Sequence, residues 1–464
     1  MNFLLIVADT FRADYLGCYG NDWIETPNLD RLTSESAVFL DAYAEGLPTL
    51  PARRVMITGR PITPMRYIYQ HSDLVQSPGW HPLYDEDVTA AEWLKSCGYH
   101  TAMFTDVYHM FKPGKNFHRG FDKWDFIRGQ EDDRHALRDK EAVMDLLKQT
   151  SADAENMSED HWVIQHLNNR KNWESDADTS VAKTMQAAAD WISDYSIDKP
   201  FFMWVDCFDP HEPWDPPAED AKMYYPDYEG LHGVFTPRRL SEGTEHVAEC
   251  VKAAYAGEVT LVDRWVGRLL DTLEVQGYMD DTVIMFSSDH GTIMGEQDQL
   301  HKAGLMRWQN TRVPLIIRHP DGVGAGKQIE GFVQHQDFLP TALAMMGESM
   351  PERVMGQNVW PMAAEGAESS RDSILISWGS RYSLRTPEWN LIAPAVGSGA
   401  GNAELYELKN DPQELQDVIA EHPEVARELA AVANEKLDEL RFTTTGSLQS
   451  MSTDARVSVS VDGS

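Results

Sequence analysis

At 464 residues, with 42% hydrophobic and 25% charged side chains, the chain has an ordinary globular composition and room for one large α/β domain plus a smaller one. Forty basic against 74 acidic residues leave a formal net charge of -34, a surface that repels nucleic acid and anionic membranes and excludes both as expected partners. A small anionic substrate is not excluded, because a local cluster of Arg, Lys and metal overrides the distant field.

The chain opens on an apolar run, residues 2–7, that passes directly into a polar motif at Asp9. It reads as a buried first strand, since a secretory signal would add a basic region and a cleavage site. Further short runs at 100–104, 201–205, 282–287 and 313–317 predict buried strands, most of them with β-branched or aromatic residues. Val259, Val262, Val266, Leu269, Leu270 and Leu273 recur at helical spacing, and Gly277 supplies the stop before the strand at 282. Strands alternating with helices predict an α/β sheet covered by helices on both faces. Beyond about residue 341 the pattern changes: 373–378, 382–391 and 404–408 predict a small antiparallel sheet, and 423–441 a closing helix. The expected division is a catalytic α/β domain over 1–345, a smaller α+β domain over 346–441 and a polar tail over 442–464. The tail is rich in Ser and Thr and predicts disorder when alone; an oligomerisation arm over a neighbouring subunit is the sharper reading, and a homo-oligomer is expected. Cys18, Cys97, Cys207 and Cys250 show no disulfide or metal spacing and are expected as buried free thiols. No stretch approaches the roughly 20 apolar residues of a membrane span, and a cytoplasmic location is expected.

Three separated segments carry chemistry. Asp9 follows the first strand, where ligands sit in open α/β sheets, and is a candidate metal ligand, although an Asp there is commonly a helix N-cap. Thr49, in Pro48-Thr49-Leu50-Pro51-Ala52-Arg53, places a hydroxyl at a predicted helix N-terminus with Arg53 one turn on; the free N–H groups there favour an anion, and Pro51 is tolerated so early in a helix. The bland alternative is a Thr N-cap beside a surface Arg. Asp289 and His290 end the strand at 282–287 and offer an oxygen and an imidazole to one divalent metal, with Lys302 thirteen residues after Asp289 able to return to an anionic oxygen.

Together these segments resemble the sulfatase family. Thr49-x-Pro-x-Arg53 followed by Thr58-Gly59-Arg60 looks like the family signature, usually Cys-x-Pro-x-Arg ending in Thr-Gly-Arg. Asp9 to Asp14, Leu16-Gly17-Cys18-Tyr19-Gly20 and Thr26-Pro27-Asn28-Leu29-Asp30 are similar to the family's N-terminal block. Asp209-Pro210-His211-Glu212-Pro213, Ser288-Asp289-His290-Gly291, Arg312-Val313-Pro314 and Asp337-Phe338-Leu339-Pro340-Thr341 extend the match in order. The resemblance implies an alkaline-phosphatase-like mixed sheet flanked by helices, a smaller C-terminal α+β domain, and hydrolysis of an ester. It implies that Asp9, Thr49, Asp289 and His290 bind one divalent metal, that Arg53 steadies the nucleophile Thr49, and that His211 and Lys302 meet the substrate anion or leaving group. The imidazole favours Mn2+ or Zn2+, with Ca2+ as the alternative.

Three departures from the family pattern matter. Thr10 replaces the second acidic residue beside Asp9. The usual Lys-x-His segment is replaced by Thr105-Asp106-Val107-Tyr108-His109, leaving Thr105, Tyr108 and His109 as candidate substrate contacts. Thr49 stands where a cysteine is normally oxidised to formylglycine, whose hydrate expels sulfate by collapsing to the aldehyde. A threonine ester lacks that exit and must be hydrolysed by water, which is ordinary at phosphorus. The expected substrates are therefore phosphate mono- or diesters or phosphonate esters, with sulfate esters as the alternative and a non-catalytic ester-binding protein as the third reading. Trp214, Tyr108 and Trp308 read either as stacking groups for an aryl or sugar moiety or as core and rim residues.

Overall fold

A computed structural model of the chain describes residues 1–65, 77–112, 114–302, 304–444, 456, 457 and 459. Eight strands build the main sheet: β1 (Asn2–Ala8), β2 (Ala37–Phe39), β3 (His100–Thr105), β4 (Lys123–Phe126), β5 (Phe201–Cys207), β6 (Thr282–Ser288), β7 (Leu315–Arg318) and β8 (Lys327–Ile329). Their order across the sheet is β8-β2-β7-β6-β1-β5-β3-β4, and β7 alone runs against its neighbours. The remaining pairings are parallel.

The central strands are apolar throughout because both faces are covered. In β1, Leu4, Ile6 and Ala8 point into one core, packed by α2 (Ser180–Asp194) and α3 (Glu245–Val275). Phe3, Leu5 and Val7 point into the opposite core, formed with α1 (Thr49–Thr58) and α4 (Phe338–Met346). The long helix begins four turns before the Val259–Leu273 repeat. Its early buried face joins Val251 and Tyr255 to Ala248, Ala253, Ala254, Ala256 and Gly257, and the small residues that prevail there leave a weak periodic signal. Gly267 lies where a Cβ would meet Asn28 at 2.3 Å, so the helix at 27–34 docks directly on its backbone.

A second sheet carries β9 (Ile374–Trp378), β10 (Arg381–Arg385), β11 (Trp389–Pro394) and β12 (Glu404–Glu407), backed by α5 (Pro423–Thr444). The single run expected at 382–391 is two strands, because Thr386 accepts from the Trp389 N–H and turns the chain. A fifth strand, Gly46–Leu47, pairs parallel with β9 just before α1, so the smaller sheet grips the segment that presents Thr49. Val457 bridges to Ala395, and its backbone N–H and C=O both bond Asn434 of α5; the rest of the expected arm lies outside the described residues. All four cysteines are free, with Cys207 and Cys250 buried but Cys18 and Cys97 only partly so. Among the described residues no helix is long and apolar enough to cross a membrane.

Glu45 ties the smaller sheet to the segment that follows α1. Its carboxylate accepts from the N–H groups of Ile62 (2.9 Å) and Thr63 (3.2 Å), and its carbonyl accepts from Ser377 N. Burial pushes its carboxyl up to about 7, against those hydrogen bonds. With the folded pKa above the ordinary value, ionisation is penalised in the native state, and stability falls as pH rises through the ordinary carboxylate range toward 7. Glu45→Gln loses one hydrogen bond at every pH but removes this slope. Melting temperatures compared at pH 5 and pH 8 are expected to shift in favour of the variant at the higher pH, by an amount equivalent to on the order of 3 kcal/mol; parallel curves would refute the assignment.

Candidate active site and metal centre

The register of the central strands assembles the site. Ala8 lies opposite both Cys207 and Ser288, and Val7 opposite Asp206. Asp9, Asp206 and Asp289 are thus brought together at the carboxyl ends of β1, β5 and β6, where α/β sheets place ligands. Into this edge α1 inserts Arg53. The helix is buried at all ten positions and stops on Gly59, whose φ of 62° needs no Cβ. Thr49 occupies its first position and Pro51 its third, as expected.

Arg53 is wholly buried, not a surface residue, and Asp9 caps no helix. The guanidinium is bidentate on Asp206 (2.8 and 2.7 Å), bonds Asp289 at 2.5 Å, faces Asp9 at 3.0 Å and donates to the Thr49 carbonyl at 3.3 Å. Burial and the nearby Asp289 hold the Asp9 carboxyl well above its usual range, Arg53 opposing. Asp289 is held below the usual range although burial works against it, because His290 and Arg53 favour the anion and the Thr10 N–H donates to it. Asp206 is pushed up to about 6 by burial.

Asp9, Asp289 and His290 form a cluster whose potential ligand atoms lie within 4.8 Å of one another. Both Asp9 oxygens and His290 Nε2 are buried without a hydrogen bond. His290 Nδ1 lies 2.8 Å from the Gly291 carbonyl, which fixes the tautomer that leaves Nε2 free, and burial lowers the ring to about 4, so it is neutral. Three carboxylates share one guanidinium in a dry site, and the raised Asp9 shows that a further cation is needed before all three can ionise. Unpaired oxygen and imidazole donors fit one divalent cation. Thr10 does not join them: its hydroxyl donates to the Pro210 carbonyl at 3.0 Å, while its N–H orients Asp289.

On the opposite wall, Lys302 Nζ donates to His211 Nε2 at 2.7 Å and to Glu212 at 3.0 Å. His211 Nδ1 bonds the Glu212 carbonyl. Burial lowers His211 to about 3, so the resting imidazole is neutral and its Nε2 accepts from Lys302. Its ring stacks on Phe208 at 4.1 Å, with His109 on the other side of Phe208 at 6.0 Å. His109 is kept neutral by burial and by His211, Lys302 and Arg53. Tyr108 donates to Glu131 at 2.6 Å, and burial pushes Glu131 up to about 7. Thr105 is buried in β3, and its hydroxyl accepts from Val107 N at 3.0 Å, in the turn rather than on the wall. Trp214 is fully buried and bonds the Pro210 carbonyl, a core residue; Trp308 lines a separate cavity of about 930 Å³ with Arg12 and Arg312.

Asp206, Glu212, Glu131 and His335 belong to this region and were not assigned from the sequence. Asp206 had a signal, a lone charge ending the apolar run Phe201–Cys207. His335 had none: it is placed by folding, with Nε2 on the Ser288 carbonyl at 3.0 Å.

An Asp–Asp–His cluster and a helix-borne hydroxyl at the carboxyl edge of a mixed sheet define a metal-dependent ester hydrolase of the alkaline phosphatase superfamily. Residues 1–348 match the Sulfatase family model, and residues 295–443 match the model of the N-sulphoglucosamine sulphohydrolase C-terminal region. The chain belongs to the sulfatase family. It is 26% identical to an arylsulfatase of Clostridium perfringens over 90% of both chains. It is 27% identical to the multifunctional alkaline phosphatase superfamily protein PehA of Trinickia caryophylli, over 79% of this chain and 78% of that one. The fold matches the phosphonate monoester hydrolase of Agrobacterium radiobacter with a TM-score of 0.71 at 22% identity, over 95% of each chain.

Asp206→Asn keeps the shape beside Arg53 and removes one charge, so the guanidinium draws harder on Asp9 and Asp289. Affinity for a divalent ion, measured by competition with a chromophoric chelator, is expected to fall about 10- to 100-fold. Unchanged affinity would show that Asp206 does not position the cluster.

Proposed function

We propose that the protein hydrolyses phosphate mono- or diesters or phosphonate esters of small molecules, with Thr49 as nucleophile. The observation that carries this reading is a threonine, not a cysteine, at the first position of α1, with Arg53 bonded to its carbonyl and to the carboxylates of the metal cluster. Asp9, Asp289, His290 and Thr49 would hold one divalent ion, Mn2+ or Zn2+ from its imidazole ligand. When bound, that ion supplies Lewis-acid stabilisation and acidifies the Thr49 hydroxyl.

The Thr49 hydroxyl releases its proton to solvent, from which the Lys302–His211 pair is later recharged, and its oxygen attacks phosphorus in line as the bond to the leaving oxygen breaks. Lys302 and Arg53 stand on the sides where the non-bridging oxygens gain charge, and fixed cations in a dry site stabilise that charge strongly. The leaving alkoxide takes its proton from the Lys302–His211 pair. Because the resting His211 is neutral and bonded to Lys302 Nζ, the imidazole relays that proton within the pair. Water then attacks phosphorus, cleaving the phosphothreonine and restoring the hydroxyl.

Sulfate ester hydrolysis is the second reading, favoured by the arylsulfatase relative. Matched nitrophenyl esters of sulfate, phosphate, a phosphodiester and a phosphonate separate the two. A phosphorus ester is expected to turn over faster than the sulfate, and Thr49→Ala should abolish turnover while binding metal. Preference for the sulfate would overturn the substrate class, and full activity in the variant would end the nucleophile assignment.

His211→Asn tests proton delivery. Its kcat should fall about 10²- to 10⁴-fold on alkyl esters, whose leaving groups need a proton, and much less on nitrophenyl esters. Equal losses on both would remove His211 from that step.

A further inference from the structure

Well away from the catalytic cluster, three side chains of metal-binding type converge at the start of α3. His246 and Cys250 are four residues apart, on one face of the first two turns. His232 comes from the preceding loop. The three potential ligand atoms lie within 4.8 Å of one another. His246 Nε2 is 3.7 Å from Cys250 Sγ. Zinc bound tetrahedrally at ordinary S and N distances spans an S···N edge of roughly 3.6 Å, so the pair already stands at the required separation.

We infer that His232, His246 and Cys250 form a second, structural site for a borderline-soft divalent cation of the zinc class, with Glu229 as the fourth ligand. A Glu229 oxygen stands 3.8 Å from His246 Nε2 on a largely exposed side chain, able to close the fourth position. The Tyr225 hydroxyl lies 3.0 Å from His246 Nδ1 and orients the ring so that Nε2 faces the sulfur, the outer contact that metal-binding histidines use. The loop carrying His232 is held on both sides. Leu231 N bonds the Gln149 carbonyl, and the Gly233 carbonyl accepts from Trp214 N. A Cβ on Gly233 would lie 2.1 Å from the Trp214 carbonyl oxygen, so only glycine permits that approach. Cys250 is buried and bonded to no disulfide partner, leaving its sulfur directed at the imidazoles. Binding exchanges the thiol proton for the cation, and the two imidazoles supply lone pairs.

The site would clip the 229–233 loop to α3. Through Gly233 that loop supports Trp214, which stacks on His301 at 5.1 Å, next to the substrate-facing Lys302. The role is structural, since four protein ligands leave no open position.

Titration of the metal-free full-length protein with Co2+ tests the site, because a thiolate ligand gives a near-ultraviolet charge-transfer band that oxygen and imidazole ligands do not. The catalytic cluster contains no sulfur, so the band reports this site alone. One equivalent is expected, bleached by one equivalent of Zn2+. Cys250→Ser should lose the band and keep ester hydrolysis after reloading, whereas Cys207→Ser should keep the band. His246→Ala, at an exposed position, should bind at least tenfold more weakly and covers the case of a Cys250 variant that does not fold. Absence of the band in the wild-type protein, or its survival in Cys250→Ser, would overturn the assignment.

Discussion

The buried Arg53 guanidinium is the contact on which the catalytic edge depends. It joins α1 to the ends of β1, β5 and β6 through Asp9, Asp206 and Asp289, all fully buried. Three carboxylates in such a place repel one another strongly, and a single cation only partly offsets them. Asp9 is held well above its usual range as a result, and its unpaired oxygens fit a divalent ion. By bonding the Thr49 carbonyl as well, Arg53 ties the start of α1 to the cluster.

The opposite wall works by keeping imidazoles neutral. His211 and His109 are desolvated, and Lys302 favours the uncharged ring in both, while Glu212 opposes it in both; Arg53 adds to the effect at His109. A neutral His211 can accept the Lys302 proton and pass one onward, whereas a resident imidazolium would compete with the substrate's cationic partners. Glu212 bonds Lys302 from the outer side and limits how far the ammonium can swing. Proton delivery and anion binding are thereby assigned to one pair rather than to separate groups.

The smaller sheet is part of this arrangement. Its fifth strand, Gly46–Leu47, leads within two residues to Thr49, and Glu45 bonds the chain on the far side of α1 at Ile62 and Thr63. Thr49 is therefore braced from two sheets, one through Arg53 and one through the strand before it. Rigid support of this kind is what positions a reacting oxygen to within a fraction of an ångström.

Sequence alone determined the frame. Apolar runs of strand length, a helical repeat, and Asp9, Thr49, Arg53, Asp289 and His290 beside predicted element ends pointed to the fold and to the cluster, because burial on both faces leaves an uninterrupted apolar signature and a polar residue at its end stands out. Short strands such as β2 and the edge strand β8, three residues each, and the Ala-rich start of α3 were not legible, since they are too short or their side chains too small to show a period. What tertiary structure decided were relations between distant residues: that Asp206 holds Arg53, that Thr10 turns to Pro210 and away from the Asp9–Asp289–His290 cluster, that Lys302 meets His211, and that His232 meets Cys250. Each is set by strand register, desolvation or loop closure, and those are fixed only when separated segments pack together.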